Sequence, residues 1–90
     1  SYALAPGREI LTEGGKVVLE RWTGDAAGHL RASSAERLWL IPLSGEGRLG
    51  EAALETGDVW LVEGETSLAL GSEAKLLVAY PGGLREDLLR

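Results

Sequence analysis

His29 is the only histidine in the chain, so it is the one imidazole available to ligate a metal or to pass a proton near neutral pH. Arg31 follows two residues later, and its planar guanidinium fork matches a carboxylate or a phosphate. Alternate residues of an extended strand point the same way, so His29, Arg31 and Ser33 would share one face and could all turn into the interior. The plainer reading makes His29 a polar residue of a loop or barrel mouth, and Arg31 a surface residue paired with Glu36. His29, Arg31 and Glu36 are therefore the candidate ligand-binding residues. The sequence offers no nucleophile-base pair, phosphate loop or Cys/His cluster, so no catalytic residue is assigned.

The elements that would position these side chains are short strands. Leu38 to Leu70 reads as apolar runs of four to six residues broken by glycine-rich turns, the pattern of consecutive antiparallel strands. Arg37 to Leu43 places Leu38, Leu40 and Pro42 on one face and Trp39, Ile41 and Leu43 on the other, as a central strand requires. Pro42 has no N–H for a ladder, so the strand must end, bulge or reach an unpaired position there. Lys16 to Trp22 follows a turn at Glu13-Gly14-Gly15, with Glu9 to Thr12 before it as an edge-like segment. His29 to Ser33 is weakly strand-like. Val59 to Val62, Leu68 to Leu70 and Lys75 to Tyr80 complete the set, and the tail Leu84 to Arg90 suits a short helix that must dock, with Leu84 and Leu88 one turn apart. Seven to nine short strands imply an all-β barrel or sandwich.

The turn L-S-G-E-G-R-L, the run L-E-T-G-D-V-W-L-V and the closing A-K-L-L-V-A-Y-P-G resemble the cupin superfamily from about Trp22 to Gly82. The closing segment is also similar to the C-terminal barrel part of mannose-6-phosphate isomerases. The resemblance implies a small antiparallel double-stranded β-helix barrel. Metal-binding cupins carry an H-x-H pair and an acid ahead of one glycine, and a third histidine after another, set around one divalent ion. Counted back from Gly45, the acid position is Leu38 and the histidine pair falls on Arg31 and Ser33 or on Ala32 and Ser34. Anchored on His29, the second histidine becomes Arg31 and the acid becomes Glu36, with the glycine two residues late. Counted from Gly57, the proline position is Glu63 and the third histidine is Leu68. The resemblance thus implies a cupin-like binding or structural module without a complete metal site and without a cofactor. Two alternatives stand beside it: a metal-dependent isomerase or dioxygenase using His29 and Glu36, and a sensory barrel that takes a sugar or small acid through Arg31.

Composition bounds the remaining possibilities. Ninety residues, 44% of them apolar, make one domain with a single core and no disulfide, since there is no cysteine. A net charge of -5 with no basic cluster argues against nucleic acid, and no apolar run is long enough to span a membrane. Cytoplasm is the default compartment. The chain lacks Asn, Gln, Met and Cys, a depletion that suggests a thermophilic source. Trp39 should point outward, opposite Leu38, and need a cover. The expected cover is a second subunit in a homodimer, with the tail leucines as the alternative.

Overall fold

The computed structural model describes residues 2–12, 16–24, 26–32, 37–82 and 88–89. Ten strands lie among them: β1 (Tyr2–Ala5), β2 (Arg8–Thr12), β3 (Val17–Thr23), β4 (Gly28–Arg31), β5 (Leu38–Ser44), β6 (Gly47–Leu49), β7 (Ala52–Leu54), β8 (Trp60–Val62), β9 (Glu65–Leu70) and β10 (Lys75–Pro81). They form a six-stranded sheet in the order β1-β2-β3-β10-β5-β8 and a four-stranded sheet in the order β4-β9-β6-β7. All pairings are antiparallel. No α-helix occurs among the described residues, and so none that could cross a membrane.

Period-two alternation builds the core between the sheets. Val18 and Trp22 of β3, Leu38 and Leu40 of β5, and Val78 and Tyr80 of β10 point inward from the large sheet; Leu30 of β4 and Leu68 of β9 meet them from the small one. At roughly 25 cal/mol per Å² of apolar surface removed from water, each buried leucine contributes about 1.5–3 kcal/mol toward holding the sheets together. The strand at Leu38–Ser44 lies inside the large sheet, with β10 along one edge and β8 along the other, and of its two apolar faces the one with Leu38 and Leu40 turns into the core. Pro42 is accommodated as expected. Leu76 pairs with Pro42 but Lys75 pairs with Ser44, so β5 bulges at Leu43, one residue past the proline.

Three features differ from the strand pattern in the sequence. The segment at Glu9 to Thr12 is not an edge, because β1 covers it. Strands β5 and β6 do not pair with each other: the turn Ser44-Gly45-Glu46 carries the chain from the large sheet to the small one, where β6 joins β7 and β9. Glycine is required at position 45, where φ is +77° and a Cβ would lie 2.4 Å from the Ala74 Cα. Finally, the tail reading Leu84 to Arg90 falls mostly outside the described residues. Leu88 is a single 3₁₀ position buried in the core, and Leu89 bridges to Leu30 of β4. The described tail leucines thus dock on the small-sheet side and not over Trp39.

Candidate functional site

Strand β4 positions the two candidate side chains. Its pairing with β9 sets His29 opposite Ser67 and Arg31 opposite Glu65. Leu30 and Ala32 are the residues buried in the core, so His29 and Arg31 lie on the outer face of the small sheet. The expected inward orientation is corrected here. With Leu30 and Ala32 turned inward, burying His29 and Arg31 instead would place those two apolar groups in water. Glu36 and Ser33 lie outside the described residues.

Glu65, which the sequence pattern does not single out, brings the two together. Arg31 Nε donates to Glu65 Oε1 at 3.2 Å, and His29 Nε2 lies 3.5 Å from Oε2. Its hydrogen bond with His29, and then that with Arg31, hold the Glu65 carboxyl below the usual carboxylate range. This His-Glu-Arg group is solvated. Neither a cleft of about 380 Å³ beside Gly7 and Thr23 nor one of about 500 Å³ beside Gly47 and Leu54 is lined by His29 or Arg31.

A second polar group sits inside the barrel, on the inner face of the large sheet. Glu20 of β3 is fully buried, as are Trp22 two residues on and Tyr80 of β10; Arg8 of β2 is nearly so. Arg8 donates from Nε to Glu20 Oε1 at 2.9 Å and from Nη2 to Oε2 at 2.8 Å. Trp22 Nε1 donates to Oε1 at 2.8 Å, and the Tyr80 hydroxyl donates to Oε2. The Arg8 guanidinium also lies over the Trp22 ring, 5.2 Å from its centroid. Four donors in charge-assisted geometry are what a carboxylate removed from water needs. The sequence carried one hint: Val18, Glu20 and Trp22 share a face, so a charge lies in one row with two apolar residues.

Two of the positions that the cupin resemblance gives to metal ligands do not fit a metal. Leu38 is 0% exposed and Leu68 2%, both packed in the core, and neither offers a donor atom. The Glu20 carboxylate is surrounded by hydrogen-bond donors. Among the described residues no group of three or more His, Cys, Asp or Glu side chains could hold an ion.

Comparison with solved structures agrees with the architecture. An RmlC-like cupin protein from Desulfovibrio desulfuricans matches with a TM-score of 0.63 at 20% identity, over 82% of this chain and 79% of its own. A Klebsiella pneumoniae protein with a double-stranded β-helix domain matches with a TM-score of 0.62 at 23% identity, over 91% of this chain and 82% of its own. A cupin-2 domain protein from Shewanella frigidimarina gives 0.61 at 12% identity, over 91% and 84%. No protein-family model matches the sequence, and no curated protein does. The chain has the cupin fold, a double-stranded β-helix of two antiparallel sheets.

Proposed function

We propose that this cupin barrel is a binding or structural module and not a metal-dependent enzyme. The observation that carries the reading is the packing of Leu38 and Leu68, at ligand positions, against an apolar interior. A leucine pair in close contact with its neighbours supplies neither donor atoms nor the polar volume that a hydrated ion needs. Any small ligand is then met from outside. His29 and Arg31 are the candidates for a small acid, which would have to displace Glu65 from the guanidinium.

Elemental analysis of protein purified without added metal, followed by thermal-shift screening, tests this reading. Metal well below one equivalent is expected, with no shift from divalent ions. A ligand at a hundred times its Kd stabilises by about 2.7 kcal/mol, roughly 10 °C or more for a domain of this size, so real binding is easy to see. Stoichiometric metal, or an ion-induced shift of that size, overturns the proposal. A shift with small carboxylic acids that Arg31→Met abolishes would assign the outer His-Glu-Arg group as the ligand site.

A further inference from the structure

The two sheets differ on their outer faces. The small sheet shows water a polar surface that includes His29, Arg31, Arg48, Glu65 and Ser67. The large sheet does the opposite. Its registers align Leu19, Ala79, Trp39 and Leu61 in one row across β3, β10, β5 and β8, and Leu77 beside Ile41 in the next. None of these side chains belongs to the buried core. Leu61 is 54% exposed, Leu43 41%, and Val59, just ahead of β8, 66%.

We propose that this face is the contact surface of a homodimer, occupied by the same face of a second copy. The row itself holds no charged residue; the Arg37 guanidinium lies over the Trp39 ring, 6.0 Å from its centroid, and Glu9 on β2 is paired with Arg21. A partner recognised by charge would need a field of one sign at the centre, whereas an apolar field selects another apolar surface. A second copy presents such a surface with the same twist, and two like-twisted sheets stack face to face at about 10 Å with strands some 30° apart. Strands ~4.8 Å apart and ~3.4 Å per residue give β3, β10 and β5, of seven residues each, and β8, of three, about 390 Å² in projection. That is about half of the ~800 Å² each partner buries in a stable pair, before the side chains corrugate the surface and the rim adds to it. The chain's own described tail does not compete, since Leu88 and Leu89 are engaged on the small-sheet side. Two-fold symmetry covers both copies at once and leaves no open surface for further growth.

The test is mass in solution by sedimentation or light scattering at tens of micromolar, on the full chain and on Leu61→Glu and Leu43→Glu. Both positions are exposed in the single chain, so the charges are tolerated there; far-UV circular dichroism checks that each variant folds. The milder Leu61→Ser and Leu43→Ser serve where a glutamate prevents folding. The expected result is a dimer whose dissociation constant rises at least about 100-fold in each glutamate variant, the size of effect seen at interface hot spots. A full chain that is monomeric at these concentrations overturns the proposal, whether the face is then covered by Leu84 or by another protein. So does a dimer that survives both glutamates, because its contact would lie elsewhere, such as along the β1 edge. Neither failure touches the metal-free reading above, which rests on Leu38 and Leu68.

Discussion

Replacing Arg8 with methionine keeps the length of the side chain but leaves the buried Glu20 carboxylate with two neutral donors, Trp22 and Tyr80, and no counter-charge. Breaking a buried pair from one side costs about 3–5 kcal/mol, because the remaining charge is stranded away from water. A chain of this length has a total stability of roughly 5–13 kcal/mol at 0.05–0.15 kcal/mol per residue, so Arg8→Met removes a large share of it. The assay is urea unfolding followed by tryptophan fluorescence, with the protomer concentration held constant because association shifts apparent stability. At an m-value of about 1–1.5 kcal/mol/M, the midpoint should fall by about 2–5 M. The discriminating variant is the double one. Arg8→Met with Glu20→Gln removes both charges, while the carbonyl oxygen of the new side-chain amide can still accept from Trp22 and Tyr80. It should therefore be more stable than Arg8→Met alone, with a coupling of about 2 kcal/mol or more between the sites. Single changes that add without coupling, or an Arg8→Met cost below about 1 kcal/mol, would refute the idea that Glu20 depends on its guanidinium partner.

Tyr80→Phe, read by the same unfolding assay, should cost about 1.5–3 kcal/mol, the worth of a hydrogen bond to a charged acceptor. Leu68→Ala should cost about 2–5 kcal/mol through transfer and cavity terms, and a variant as stable as the parent would contradict the packing at the ligand position. Trp60 Nε1 is buried without a hydrogen-bond partner whereas Trp22 Nε1 is bonded to Glu20, so Trp60→Phe should destabilise less than Trp22→Phe. Glu65 is held below its ordinary value of 4.5, so its ion pairs stabilise the fold above that pH, and the contribution is lost as pH falls through the lower folded value. The stability of the parent should thus drop relative to Glu65→Gln only below about pH 4.5, and added salt should shrink the difference.

The apolar strands were legible in the sequence because period-two alternation is a local signal. The run Arg37 to Leu43 is apolar on both faces, so Leu38 and Leu68 were placed inside from the cupin ligand positions counted from Gly45 and Gly57, and an irregularity near Pro42 was expected from its missing N–H. The orientation of β4 was readable too, since Leu30 and Ala32 alternate with His29 and Arg31; a motif-based register favoured the wrong row, and a shift of one residue reverses every side chain. Glu65 was not legible as a partner, because its place beside Arg31 depends on β9 lying next to β4 across 34 residues of chain. The same holds for Glu20. Alternation puts Glu20 on one face with Val18 and Trp22, but no local pattern marks that face as inward or names Arg8 or Tyr80 as its neutralising shell. Strand β1 was missed because Tyr2–Ala5 has neither alternation nor β-branched residues to mark it.

The order of the large sheet has a consequence for how the polypeptide is made. Strand β10, the last of the ten, lies between β3 and β5, so these two cannot be joined until residues 75–81 have been synthesised. Until then, each exposes an unpaired ladder edge. Glu20 waits as well, because Arg8 precedes it in the chain whereas Tyr80 follows it by 60 residues. A nascent chain stalled before β10 therefore holds a carboxylate short of one of its four donors in an open apolar trough, the kind of intermediate that aggregates and that chaperones retain. Folding of this barrel is accordingly a late, concerted event dominated by long-range contacts, and C-terminal truncation into β10 should give insoluble protein, whereas loss of the residues after Pro81 removes buried Leu88 and the Leu89 bridge and should lower stability while leaving the large sheet complete.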